Sequence, residues 1–352
     1  MSKVNQKISK GVKIWLWIGF IMILLQILIG GVTRLTGSGL SITKWEIITG
    51  TIPPLNDGDW VSEFNAYKDT PQYQKINKGM SLQDFKFIYF WEYFHRLWAR
   101  IMGFVFLLPA IFFWWKGFFP QWLKKRVVYI FLLAALVASF GWIMVASGLI
   151  DRPWVNAYRL SFHLILAVIL LGYVMWTLLS SYPVRKFKDK SLAQWSLFLA
   201  SGLFIQIFLG GMVSGMKAAL LYPTFPKMKG EWIPSLIFNN SLWNVENFIH
   251  YDKSPFFPTL IHTAHRLWAY ILTISILYFA WKLYTNYSNR FIHFAQILLI
   301  SLLVTQIGLG ILTVIHSVGT VPVFYGVAHQ VVGILLFNAS LIFVFIMRKK
   351  II

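Results

Sequence analysis

Cysteine is absent from this 352-residue chain. Its absence excludes disulfides, thiolate metal ligation, iron–sulfur clusters and cysteine redox relays. Charge is scarce as well: only 12% of residues are charged, and 12 acidic side chains stand against 32 basic ones, for a net +20. So little charge leaves no room for a large, water-solvated catalytic domain. A net +20 on a soluble protein would suggest nucleic acid as partner, but here the distribution of the charge along the chain accounts for it, and no nucleic-acid partner is expected. What the chain has instead is apolar surface. Hydrophobic residues make up 57% of it and aromatic residues 18%, and several uninterrupted runs exceed the roughly 18 residues that cross a bilayer. This is an integral membrane protein of the all-α class.

The runs predict eight spans, at 13–33, 87–115, 127–149, 159–180, 195–216, 258–281, 292–316 and 326–347. With the N-terminus inside, the inner segments carry Lys3, Lys7, Lys10 and Lys13, then Lys116, Lys124, Lys125 and Arg126, then Arg185, Lys186, Lys188 and Lys190, then Lys282 and Arg290, and last Arg348, Lys349 and Lys350. Those 17 bases face one acid, Asp189, whereas the outer segments hold 15 bases and 11 acids. The positive-inside rule therefore predicts both termini to be cytoplasmic. The first span is too long for a cleaved signal and reads as a retained helix, which favours a bacterial cytoplasmic (inner) membrane.

The pentapeptide HRLWA occurs twice, at His95–Ala99 and His265–Ala269. The repeat extends further: Gln26, Gly30 and Gly31 match Gln206, Gly210 and Gly211, Gly141 matches Gly310, and His163 matches His329. The expected architecture is two pseudo-symmetric four-helix bundles, residues 1–185 and 186–352, related by an axis along the membrane normal. Spans two, four, six and eight all run inward, and each carries one of His95, His163, His265 and His329 in its first turns. At about 1.5 Å per residue the four are expected within roughly 5–15 Å of the outer helix ends. Paired imidazoles on alternate helices of a bundle can grip a haem iron from both faces, although imidazole also suits copper and zinc. Long aromatic outer loops and nearby arginines favour haem, whose propionates need cations: Arg96 and Arg266 follow the histidines directly, and Arg34, Arg100 and Arg159 lie near. Snorkelling to lipid headgroups is the other reading of these arginines. His250, His293 and His316 read as interfacial hydrogen-bonders.

The halves differ at one telling position. Glu92 in the first aligns with His262 in the second, each three residues before its HRLWA histidine and on the same helical face. A glutamate in a partly dry pocket beside a macrocycle is expected to have a raised pKa and to exchange protons, unless it serves only as a salt-bridge partner of Arg96. His262 is an alternative ligand to His265 or a supporting donor. The two long outer loops, 34–86 and 217–257, place function on the outer side. Thr70 with Pro71 and Ser81 with Asp84 carry helix-start signals. The aromatic run of Phe85, Phe87, Tyr89, Phe90, Trp91, Tyr93 and Phe94 reads as an interfacial belt or a wall around a flat ring system.

Taken together, GGVTRLTGSGL at 30–40, WEYFHRLWARIMG at 91–103, GWIMVASGL at 141–149, RLSFH ending at His163, HRLWAY at 265–270 and AHQ at 328–330 resemble the haem A synthase family over nearly the whole chain. The resemblance implies oxidation of the C8 methyl of haem O to the formyl group of haem A, for terminal oxidases. It implies His95 and His163 around the substrate haem with Glu92 as catalytic carboxylate, and His265 and His329 as ligands of a haem b. Further implied partners are membrane lipid, the enzyme that makes haem O, and a redox partner the sequence does not name; a homo-oligomer is compatible. The chain is similar to the cysteine-free proteobacterial and mitochondrial branch. Two other readings use the same four histidines: a dihaem cytochrome b that only moves electrons, and a haem transporter or chaperone.

Overall fold

A computed structural model describes residues 8–43, 51–148, 153–187 and 189–348, with the side chains of 146–148 left out. Lys3, Lys7, Lys188, Lys349, Lys350 and Leu149, which enter the reading above, lie outside the described residues. All eight expected spans are helices: α1 (Lys10–Leu35), α4 (Leu82–Trp115), α5 (Gln121–Gly148), α6 (Ala157–Ser180), α7 (Lys190–Gly215), α9 (Phe256–Asn286), α10 (Arg290–Ile315) and α11 (Val323–Met347). Short helices α2 (Asp57–Lys68) and α3 (Pro71–Lys75) fold the first outer loop, and α8 (Val245–Ile249) with three short 3-10 turns folds the later one. No strand occurs among the described residues; a single bridge joins Met228 and Glu231.

The chain divides into two compact units, residues 1–159 with 166–182, and residues 160–165 with 183–352. In the second, α7 packs on α9, α9 on α10, α10 on α11 and α11 back on α7, a closed four-helix bundle. Ser161 lies in this unit against Gly211, where a β-carbon would come within 2.8 Å of its hydroxyl. In the first unit α1 packs along α4. Gly19 makes that approach feasible, because a β-carbon there would meet the Phe106 ring at 2.5 Å, and Trp15 stacks on the same ring at 4.3 Å. Large apolar side chains such as Phe104, Leu108, Ile274 and Ile297 remain more than 60% exposed. On a water-soluble protein they would form adhesive patches; on membrane helices they meet acyl chains.

Both predicted helix starts form. Thr70 accepts the Tyr73 amide, and Ser81 accepts the Asp84 amide at 3.1 Å while its hydroxyl donates to the Asp84 carboxylate at 2.6 Å. α4 begins at Leu82, as the Ser81 signal predicts, so its first turns precede by five residues the apolar run expected from 87. Those turns are amphipathic: Phe85, Ile88 and Tyr89 are buried against Phe64 and Tyr67 of α2, whereas Phe87 and Phe90 are exposed. The aromatic run is thus partly the floor of an outer cap. The cap's polar centre is Tyr67, whose hydroxyl donates to Gln72 Oε1 at 3.1 Å and accepts from Asn77 at 2.7 Å.

Burial, foremost, pushes the Tyr67 phenol up to about 12, with Asn77 opposing and Glu92 and Tyr73 adding to the rise. An unfolded tyrosine loses its proton near 10. Between those values the unfolded chain binds fewer protons, so the stability that Tyr67 contributes is complete below pH 10 and is lost as the pH rises through about 12. Melting temperatures recorded from pH 9 to 12 should fall less steeply for Tyr67→Phe than for the parent protein.

Candidate functional site

In the first unit, α1 and α4 are laced together beside His95. Gln26 Nε2 donates to the His95 carbonyl at 3.1 Å, and Trp98 Nε1 donates to the Met22 carbonyl at 3.0 Å. Gly30 lets the imidazole lie against α1, since a β-carbon there would meet His95 Nε2 at 3.2 Å. One turn before His95, Glu92 is only 2% exposed. Its Oε2 accepts from the Ser41 amide at 2.7 Å, the Ser41 hydroxyl at 2.8 Å and the Ile42 amide at 2.9 Å. Its Oε1 accepts from Arg96 Nη2 at 2.6 Å. Glu92 is therefore buried and ringed by donors, and the salt bridge to Arg96 is present.

The second unit repeats the lacing with equivalent residues. Gln206 Nε2 donates to the His265 carbonyl at 3.0 Å, Trp268 Nε1 donates to the Gly202 carbonyl at 2.9 Å, and a β-carbon at Gly210 would meet His265 Cε1 at 3.3 Å. A third glycine does the same on the other side of the bundle: at Gly310 a β-carbon would meet His329 Cε1 at 2.9 Å. His329 Nδ1 lies 3.1 Å from the Gln306 carbonyl. A carbonyl only accepts, so this nitrogen carries the proton and Nε2 keeps its lone pair. That Nε2 lies 3.3 Å from Gln306 Nε2, and His265 Nε2 lies 3.4 Å from Gln206 Nε2, so a metal bound there would replace these two amide contacts.

His265 and His329 face each other with ring centroids 6.4 Å apart. Two imidazoles binding one metal from opposite sides, at about 2 Å per bond, place their ring centres roughly 6 Å apart. The separation therefore fits two imidazoles that would share one iron, such as a haem's, with Gly210 and Gly310 clearing the backbone around them. His262, 1% exposed, accepts from Arg266 Nε at 3.0 Å through Nε2, so that lone pair is engaged. Arg266 in turn holds the outer loop, donating to the Tyr222 and Thr224 carbonyls at 3.1 and 2.9 Å. A cavity of about 140 Å³ beneath that loop is lined by Arg266, Thr263, Tyr270 and Trp232.

Measured along their own helices at about 1.5 Å per residue, His163 and His329 lie roughly 9 Å from the helix start, His265 about 14 Å and His95 about 20 Å. The last exceeds the expected range because α4 extends upward into the cap. His163 sits in the second turn of α6 and Arg34 in the last turn of α1, both half-buried. Arg159 donates to the Ile143 carbonyl at 3.3 Å. Two residues that touch the candidate site were missed from sequence. Ser41 follows directly on the conspicuous GSGL turn, and Gln306 lies one helical turn before Gly310; neither belongs to the repeat, which hid them.

A family model described as "COX15-CtaA: Cytochrome oxidase assembly protein" matches residues 13–341. The chain belongs to this family. Among its relatives, "Heme A synthase" of Nitrosospira multiformis is 40% identical over 346 residues, covering 96% of this chain and 94% of that protein. "Heme A synthase" of Brucella anthropi is 38% identical over 326 residues, 91% and 87% of the two chains. "Heme A synthase" of Brucella ovis is 37% identical over 328 residues, 93% and 88%. With eight spans and bacterial relatives, this COX15-CtaA family member is a multi-pass inner-membrane protein.

Arg266→Ala should release the Tyr222 and Thr224 carbonyls and loosen the outer loop. Losing charge-assisted bonds of this kind raises local opening about tenfold or more. Trypsin cleavage at Lys227 and Lys229 in intact membranes, followed by mass spectrometry, should speed up accordingly.

Proposed function

We propose that two haem sites with different tasks operate here, one in each half, and that together they carry out the haem A synthase reaction: oxidation of the C8 methyl of haem O to the formyl group of haem A. The activity itself follows from family membership and from near-full-length relatives bearing that name. The observation that carries the division of labour is the exchange at one repeat position. Glu92 is held by Ser41, Ile42 and Arg96, whereas its counterpart His262 is held by Arg266.

Within residues 1–185, His95 and His163, which fall in different compact units, are the residues that the resemblance implies would hold the substrate haem O, and Arg96 and Arg34 are the cations that would suit its propionates. Turning a methyl into a formyl group takes one oxygen atom from water or dioxygen, passes four electrons to an acceptor, and requires protons to leave the carbon and its new oxygen. Glu92 is the acceptor for such a proton. Its Oε2 already takes three donors, so Oε1, which among the described residues accepts from Arg96 alone, is the oxygen with more acceptor capacity left. Arg96 keeps that oxygen oriented while the charge changes. In the C-terminal half, His265 and His329 would hold a haem b, which when bound supplies one-electron transfer. Arg266 would serve that half by fixing the outer loop over it. Electrons pass to or from a redox partner, and haem O arrives through the lipid from the enzyme that makes it.

Expression with a source of haem O, followed by extraction and mass analysis of haems, tests the reading. Haem A should form with the parent chain and fall by about a hundredfold or more with Glu92→Gln, the loss expected of a general base, while bound pigment persists. Bound haem without conversion in the parent chain, under the same supply and with redox partners present, would instead favour an electron-transfer cytochrome. Gly310→Ala addresses the C-terminal site separately: its β-carbon would push on His329, so the bis-histidine absorption bands of that half should weaken while helix content by circular dichroism stays constant.

A further inference from the structure

We infer that Ser41 is the positioning residue for Glu92, acting through a three-donor grip on one carboxylate oxygen that leaves the other for chemistry. The inference rests on the reading of Glu92 given above and deepens it. The chain leaves α1 at Leu35, reverses through Gly37 at φ +71°, a conformation open to glycine, and then presents two consecutive backbone amides, Ser41 and Ile42, toward α4. Both amides and the Ser41 hydroxyl converge on Glu92 Oε2 within 2.7–2.9 Å. Ser41 itself is 1% exposed, so water does not compete for these bonds.

The grip is fixed from the outer side. The Ser41 hydroxyl lies 3.3 Å from the Ile88 carbonyl, one turn before Glu92 on α4 and nearer the outer cap, so its one proton is shared between that carbonyl and the closer Glu92 Oε2. On the outer side Gln72 Nε2 donates to the Gly37 carbonyl at 2.9 Å, and Gln72 is itself set by Tyr67. The first outer loop thus reaches the carboxylate through the 37–41 turn, which Gln72 holds at Gly37 and in which the Ser41 amide also lies 3.1 Å from the Ser38 carbonyl. The consequence is rotational. A carboxylate free to turn would present either oxygen to the substrate. Here the turn takes Oε2, and Oε1 is left facing Arg96.

Ser41→Ala removes one of the three donors while leaving both amides, and Ser41→Thr keeps a hydroxyl in the same place. Haem A formation at varied haem O supply should show kcat for Ser41→Ala reduced roughly ten- to a hundredfold, the loss of one charge-assisted hydrogen bond. KM and bound pigment should stay unchanged, and Ser41→Thr should restore most of the rate. Infrared difference spectra, with the Glu92 carboxylate stretch assigned by its loss in Glu92→Gln, should show that stretch shifted in Ser41→Ala and returned in Ser41→Thr. Full activity in Ser41→Ala beside an inactive Glu92→Gln would overturn the inference and leave Glu92 catalytic. Equal loss of rate and pigment in Ser41→Ala and Ser41→Thr would also overturn it, marking Ser41 as merely structural. Full activity in Glu92→Gln would remove the reading on which it rests.

Discussion

Close contact between a helix backbone and an imidazole ring is the constraint on which this protein depends. At Gly30, Gly210 and Gly310 the neighbouring helix presents no β-carbon, and a histidine ring occupies the space that one would fill. Van der Waals fit drives helix association within a bilayer, because lipid offers no hydrophobic gain for helix pairing. Glycines at these three positions therefore set the distance between helices and the orientation of the rings in one stroke. The glutamines then add direction: Gln26 and Gln206 tie α1 and α7 to the carbonyls of His95 and His265. In the second unit the result is two imidazoles facing each other across 6.4 Å, a separation suited to a single metal.

On that common scaffold, duplication allowed one position to diverge. Glu92 and His262 both pair with the arginine four residues on, Arg96 and Arg266, so the local geometry of α4 and α9 survived the exchange. What changed is the partner outside the helix. Glu92 recruits the amides and hydroxyl of the 38–42 turn, whereas Arg266 beside His262 spends its remaining donors on loop carbonyls at Tyr222 and Thr224. An acid thus ended in a nest of donors, and a neutral ring ended as an acceptor that steadies a loop-binding arginine. The outer loops are more than connectors on this account, since each is fastened at the position where the halves differ.

Much of the fold was legible because the bilayer simplifies the code. Backbone groups in lipid must pair within the segment, so long apolar runs had to be helices, and all eight formed. Ser81 and Thr70 announced their helices through local capping chemistry, which depends on residues three apart and on nothing distant. Packing was less legible: the first turns of α4, whose start Ser81 marked, bury Phe85, Ile88 and Tyr89 against Phe64 and Tyr67, a long-range contact that hydropathy does not report. The same gap hid Ser41. Its role arises from a meeting with Glu92 across 51 positions of chain, and a serine after a glycine turn looks ordinary until that meeting is known.

By itself the amino-acid sequence determined the membrane class, the eight helices, the twofold repeat and the distinction between Glu92 and His262, because each follows from local composition or from self-comparison. Tertiary structure alone decided which lone pairs are engaged. His262 Nε2 is taken by Arg266, His329 Nδ1 is turned to the Gln306 carbonyl, and Glu92 is divided into a saturated Oε2 and a more open Oε1. Hydrogen-bond direction depends on where distant atoms come to rest to within a few tenths of an ångström, and no one-dimensional pattern carries that precision.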